Sequence, residues 1–162
     1  MLSPRLWSHL QSTHGGPKGR LIDLMALDSN SQLDKESHPL PHYTPCYTPS
    51  SIGVNFFAQN PAQSRSGEIE NGYIFPPTHL VAPVLKHLQD YHAVATLVAP
   101  EIRPLPYWWP FVQRTAKKAS QIALKGDDTA LLWPLKGTNS FTVRKPLPWN
   151  LGMFRLDFSS SS

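Results

Sequence analysis

A proline fixes its own φ and has no backbone N–H to donate, so each one limits how far a helix or strand can run. The chain places 17 of them among its 162 residues. Few long helices and many punctuated loops follow. The residue before each proline is also pushed toward extended backbone. Secondary structure is therefore best read in the intervals between prolines.

Ser3-Pro4 opens a short helical pattern, with Ser3 as N-cap, Pro4 at the first helical position, and Leu6, Leu10 and Trp7 on the apolar stripe. His14-Gly15-Gly16-Pro17 stops it. Leu21 to Ala26 reads as a buried strand with one acid, Asp23, in its middle. Residues 33–51 form a Pro-rich loop with extended, polyproline-like backbone. Gly53 to Ala58 is a second strand, 59–71 a polar loop, and Gly72 to Phe75 a third strand cut off by Pro76-Pro77. Leu80, Val84, Leu85 and Leu88 then recur at helical spacing to about Asp90.

Ala93 to Ala99 is the clearest buried strand, ended by Pro100. A helix is expected from Trp108-Trp109-Pro110 to about Leu124, a short strand over Ala130 to Trp133, and a last strand over Leu151 to Phe158. Strands alternating with helices predict an α/β fold. The expected architecture is a small open sheet, mixed or mostly parallel, with flanking helices. It forms one domain over residues 1–158, with 159–162 as a frayed tail.

Composition narrows the class. A net charge of +4 favours an anionic partner, nucleic acid included. Charged residues make up only 16 %, too few for a charge-rich disordered chain. The lone cysteine, Cys46, forbids an intramolecular disulfide and suits a reducing compartment. No run approaches the ~20 apolar residues of a membrane span, and Leu6-Trp7 stand among polar residues rather than in a signal core. An intracellular protein, cytoplasmic or nuclear, is expected.

In open α/β sheets, ligands bind beyond the carboxyl ends of the strands. The Phe75-Pro76-Pro77 corner is placed there, and its carbonyls can accept hydrogen bonds from an amino group. A rigid strand-to-helix stop is the plainer alternative. Asp23 has two readings as well. A strand-end carboxylate can bind a ribose or methionine group, or it can cap a turn or pair with Arg20. No Gly-x-Gly loop follows it, so a standard dinucleotide or P-loop site is not supported. His38, His42 and Cys46 recur every four residues, but among prolines and without a fourth ligand, so no metal is expected. Trp108-Trp109 could form a base-stacking or partner surface, with one of the two in the core, and Lys117-Lys118 could touch phosphate, a solvated helix face being the plainer reading.

Taken in order, Asp23-Leu24-Met25-Ala26 with Ser29-Asn30, Tyr73-Ile74-Phe75-Pro76-Pro77, Thr96-Leu97-Val98-Ala99-Pro100 and Tyr107-Trp108-Trp109-Pro110 resemble a known segment. It follows the reverse transcriptase and ribonuclease H in tyrosine-recombinase retroelements of the DIRS and Ngaro type. That segment is in turn similar to phage-type DNA N6-adenine methyltransferases. The opening Leu2-Ser3-Pro4-Arg5-Leu6-Trp7 is similar too, and the resemblance spans about residues 2–115.

The resemblance implies a cofactor side at Asp23 and Asn30, for S-adenosylmethionine if the domain is active, and a catalytic corner at Pro76-Pro77. Such enzymes carry Asp or Asn before Pro-Pro and an aromatic after it, to hold and stack a flipped adenine. Phe75 and Thr78 stand there instead, leaving Tyr73 and His79 as the groups able to substitute. The expectation is a degenerate, non-catalytic domain with no cofactor. It would contact DNA or RNA through Tyr73, His79, Trp108, Lys117 and Lys118, beside the reverse transcriptase and ribonuclease H of its own polyprotein. The alternatives are an active S-adenosylmethionine-dependent DNA adenine methyltransferase and an interaction module presenting its Pro-rich loop.

Overall fold

A computed structural model of the chain describes residues 1–14, 22–26, 31, 32, 38, 40–49, 51–64, 67–69, 71–137 and 140–159. In chain order its elements are α1 (Pro4–His14), β1 (Ile22–Asp23), β2 (Tyr43–Thr44), β3 (Gly53–Val54), a one-turn helix (Phe56–Ala58), β4 (Gln63–Ser64), β5 (Gly67–Glu68) and β6 (Gly72–Ile74). A second one-turn helix (Thr78–Leu80), α2 (Val81–Asp90), β7 (Val94–Pro100), α3 (Trp109–Thr115), β8 (Lys118–Ala123), β9 (Trp133–Pro134), β10 (Phe141–Val143) and β11 (Leu151–Asp157) follow.

The fold is mixed α/β around a five-stranded sheet of order β1-β6-β7-β11-β8. β1, β6 and β7 run parallel, and β11 is antiparallel to both of its neighbours. The β2/β3 ladder continues the β1 edge. A parallel bridge joins Asp23 to His42, and the N–H groups of Asp23 and Ala26 donate to the carbonyls of Pro41 and Tyr43, each at 3.0 Å. The chain thus leaves β1 on one side and returns to the other side as β6. Such a reversal opens a crevice at the carboxyl ends of the strands.

Alternation along β7 divides the core. Ala95, Leu97 and Ala99 join Val84, Leu85 and Leu88 of α2 and Trp109 and Val112 of α3. Val98 faces the other way, with Leu6, Trp7 and Leu10 of α1 and Met153 of β11. Helices therefore cover both faces of the sheet. Among the described residues, no helix is long and apolar enough to cross a membrane.

β7, β11, α2 and β6 lie where the sequence places them, and several other expectations are corrected. The helix expected from Trp108 to Leu124 ends at Thr115, because the Thr115 hydroxyl turns back to the Phe111 carbonyl and Ala116 is extended. Residues 118–123 instead pair with β11, whose outer edge would otherwise lack a partner on that side. The strand at 21–26 is cut to two described residues, since Asp23 accepts the Met25 N–H and bends the chain. The strand at 53–58 stops at Val54, where Asn55 takes a positive φ of 59° and caps the next turn through Phe57 N–H. The polar stretch 59–71 contains the β4/β5 pair. The strand sought at 130–133 is a Leu2–Leu131 bridge followed by β9, and its partner β10 had no expectation.

The Pro-rich loop is also reassigned in part. Leu40, His42, Tyr43 and Thr44 are buried, and β2 is held between β1 and β3. Only beyond it does the chain present a large exposed ring, Tyr47.

Ser3 does not cap α1 with its side chain. Its carbonyl accepts the Trp7 N–H at 2.9 Å, while its buried Oγ has no partner among the described residues. Ser3→Ala should therefore leave stability unchanged or raise it by up to about 1 kcal/mol, where a working cap would lose about that much. Urea unfolding of the two proteins checks this; a loss of about 1 kcal/mol would restore the capping role.

Candidate functional site

Three neighbouring strands, β1, β6 and β7, end on the same side of the sheet, and the segments that leave them wall a cleft of about 710 Å³. Leu24 to Ala26 come from β1, Phe75 to Thr78 from β6, and Pro100 and Ile102 from β7. Leu131, Trp133, Phe141 and the 147–149 segment close the far side. Proline shapes this wall because it holds backbone extended and contributes no N–H. The described lining holds no Asp, Glu, Lys, Arg or His; its side-chain hydroxyls and amide come from Tyr43, Thr44, Asn55 and Thr78. Such a site suits a flat apolar ligand with few polar groups to orient it.

Pro76 and Pro77 both line the cleft, Pro76 buried and Pro77 exposed. The Pro77 carbonyl is engaged by Leu80 N–H at 2.9 Å, which leaves the Pro76 carbonyl as the acceptor this corner can offer. Phe75 and Thr78 flank the pair, as the sequence requires, and neither is an acid or a carboxamide. His79 is exposed in the turn beside the corner and is not part of the cleft wall.

Asp23 is not in the cleft wall either. It is 2 % exposed, with Oδ1 accepting Met25 N–H and Oδ2 accepting Gln32 N–H, both at 3.3 Å. Burial pushes its carboxyl up to about 7, only partly opposed by these two N–H groups and by the nearby charge of His42. The residue fixes the turn after β1, which is the turn-capping reading. Arg20 and Asn30 lie outside the described residues.

Tyr73 is equally enclosed, at 2 % exposure. Its ring meets Trp7 edge-on at 4.9 Å. Its hydroxyl is bonded by the Gln32 side chain, and burial, with the adjacent Asp23, raises its ionisation well above the usual phenol range. It cannot stack on an external base without unpacking α1. Trp108 and Trp109 are both buried, with ring centres 5.8 Å apart, so the expectation of one free indole is corrected.

Lys117 and Lys118 are exposed but stand at the other end of the sheet. Lys118 pairs with Arg155, four residues along β11 from the cleft residue Leu151, or about 13 Å at ~3.3 Å per residue. They sit at the start of an edge strand rather than on a helix face. Among the described residues no group of three His, Cys, Asp or Glu side chains could hold a metal. His42 is buried and its Nδ1 lies 2.8 Å from the Leu40 carbonyl, while His38 and Cys46 are exposed.

The structure also brings together residues that periodicity left unmarked. Trp133 and Trp149 both line the cleft. Lys145 Nζ lies 5.8 Å from the centre of the Trp133 ring, and Lys125 Nζ lies 5.7 Å from that of Trp149. The available signal was compositional. Five tryptophans is a high count, and the two outside the Trp108-Trp109-Pro110 motif and α1 each have a lysine in the adjoining loops.

No protein-family model matches the chain, and no curated protein matches it in sequence.

Proposed function

We propose that this is a methyltransferase-like domain that has lost methyl transfer and serves as a nucleic-acid-facing module. On this reading it stands beside the reverse transcriptase and ribonuclease H of a retroelement polyprotein. The carrying observation is the Pro76-Pro77 corner, which opens on an apolar cleft at the carboxyl end of β6 with Phe75 and Thr78 as its flanking side chains. An adenine amino group needs a second acceptor beside the proline carbonyl, and Phe75 offers none. The acid that would face the cofactor, Asp23, is enclosed and spends both oxygens on backbone N–H groups. A buried, hydrogen-bonded carboxyl supports a structural role.

Calorimetric titration with S-adenosylmethionine is expected to show no saturable binding, and folded protein should transfer no labelled methyl group to DNA. Saturable heat with one-to-one stoichiometry, or label in DNA that depends on Pro76, would replace this reading with that of an active enzyme.

A further inference from the structure

Beyond the corner, the opposite wall of the cleft carries its own chemistry. Trp133 and Trp149 are half-buried, each with a lysine ammonium within 6 Å of its ring centre, and each also contributes to the cleft surface. The backbone fixes both of them. Trp133 is paired to Val143 in the β9/β10 ladder, closed by Leu135 N–H on the Ser140 carbonyl at 2.8 Å. The Trp149 segment is clamped by the 124–127 turn. Gly126 N–H donates to Leu147, Leu147 N–H to Asp127, and Lys125 N–H to the Asn150 side chain, at 2.8–3.0 Å.

Charge follows the same region. Between Ala119 and Trp149 the chain has four basic residues and two acidic ones, a local net charge of +2. Asp127 accepts from Thr129 and faces Arg5 at 3.6 Å, and Asp128 is exposed. Glu101, beside Asn150, is held by Arg103 and by the Asn150 amide.

Fixed aromatic rings flanked by exposed cations are what a single nucleic-acid strand requires. Bases stack on the rings without regard to sequence, and the cations follow the phosphates. We propose that Trp133 with Lys145, and Trp149 with Lys125, form a binding wall for single-stranded nucleic acid. The neighbouring Arg144 and Lys136, both exposed, extend its phosphate track. The wall uses none of the residues that the sequence marked for nucleic-acid contact. It rests on the reading of the cleft as nucleic-acid-facing, but not on the loss of methyl transfer.

The test is fluorescence anisotropy of labelled oligothymidine and oligouridine of about 12 nucleotides, with a blunt duplex as competitor. Saturable binding is expected, with the single strand preferred over the duplex. Trp133→Leu and Trp149→Leu should each weaken it by roughly 5- to 100-fold, while Trp133→Phe and Trp149→Phe retain most of it. Lys125→Gln with Lys145→Gln, both on exposed side chains, should flatten the slope of log K against log salt by about 1.4, at ~0.7 per phosphate contact. These two lysine changes keep the test decisive if a leucine variant fails to fold.

Absence of oligonucleotide binding by folded protein at low salt would overturn the proposal. So would preference for the duplex, or wild-type affinity and salt slope in the substituted proteins. The S-adenosylmethionine titration reports on the corner and the oligonucleotide on the wall, so either can fail without the other.

Discussion

Asp23→Asn should remove most of a pH dependence of stability that the wild-type protein shows between about pH 4 and pH 7. The wild-type carboxyl ionises near 3.8 when the chain is unfolded and near 7 when burial holds it in the native state. Between those values the native protein binds a proton that the unfolded chain has released. Stability therefore falls as pH rises through this window, and the fall is complete above about pH 7. A shift of roughly three units corresponds to about 4 kcal/mol. Below pH 4 both states are protonated, and the asparagine variant should be equal to wild type or about 1 kcal/mol weaker, because its amide NH₂ faces the Gln32 N–H if Oδ1 keeps the Met25 bond. Above pH 7 the order reverses, and the variant should be the more stable by about 3 kcal/mol. Urea unfolding of both proteins at several pH values gives the difference directly. A difference that does not change with pH would mean that Asp23 is solvated or paired in the native state.

That acid also shows where sequence reading stops. A lone Asp in an apolar run has two readings, and periodicity cannot choose between them. The choice is made by Gln32, nine residues away, whose N–H meets Oδ2. Elements whose own pattern dictates their partners were legible. β7 is apolar on both faces and had to be central, and α2 shows an apolar stripe between a proline corner and a polar end. β8 was not legible, because Lys118-Ala119-Ser120-Gln121-Ile122-Ala123 has little strand character of its own. It is a strand because β11 offers it an open row of backbone groups. The same reason moved Lys117 and Lys118 away from the cleft.

The candidate site divides along the same line. The Pro76-Pro77 corner is a local feature, so its position at a strand end was readable from its residues alone. The Trp133 and Trp149 wall is assembled from the β9/β10 ladder and a turn held by Asn150, both of which depend on long-range hydrogen bonds. No local pattern reports such contacts. Tyr73 and Trp108 are buried for the opposite reason. Their aromatic character, read as an invitation to stack, is spent in the core against Trp7 and Trp109.

Leu97→Ala should cost about 3 kcal/mol and yet leave the cleft's binding behaviour intact in molecules that remain folded. Leu97 is fully buried in the middle strand of the sheet, in register with Ile74 on β6 and Phe154 on β11. It packs in the same cluster as Leu85 and Leu88 of α2. Truncation removes three carbons where strands on both sides and a helix above limit collapse, so the loss should lie within the ~2–5 kcal/mol found for buried leucines. That is a large share of the ~5–15 kcal/mol that holds a domain together. Val98→Ala, one residue on, opens a smaller space on the α1 side and should cost less. Both sites lie behind Pro100, where the strand meets the cleft. For Leu97→Ala the denaturant midpoint should therefore move while oligonucleotide affinity, measured well below it, stays within about twofold of wild type, since Leu97 packs in a different cluster from Trp133, which shares its cluster with Val98. A cost under about 1 kcal/mol for Leu97→Ala would contradict the central place of β7. A parallel loss of affinity in folded protein would mean that the cleft is built from the core outward, and not held by its own loop contacts.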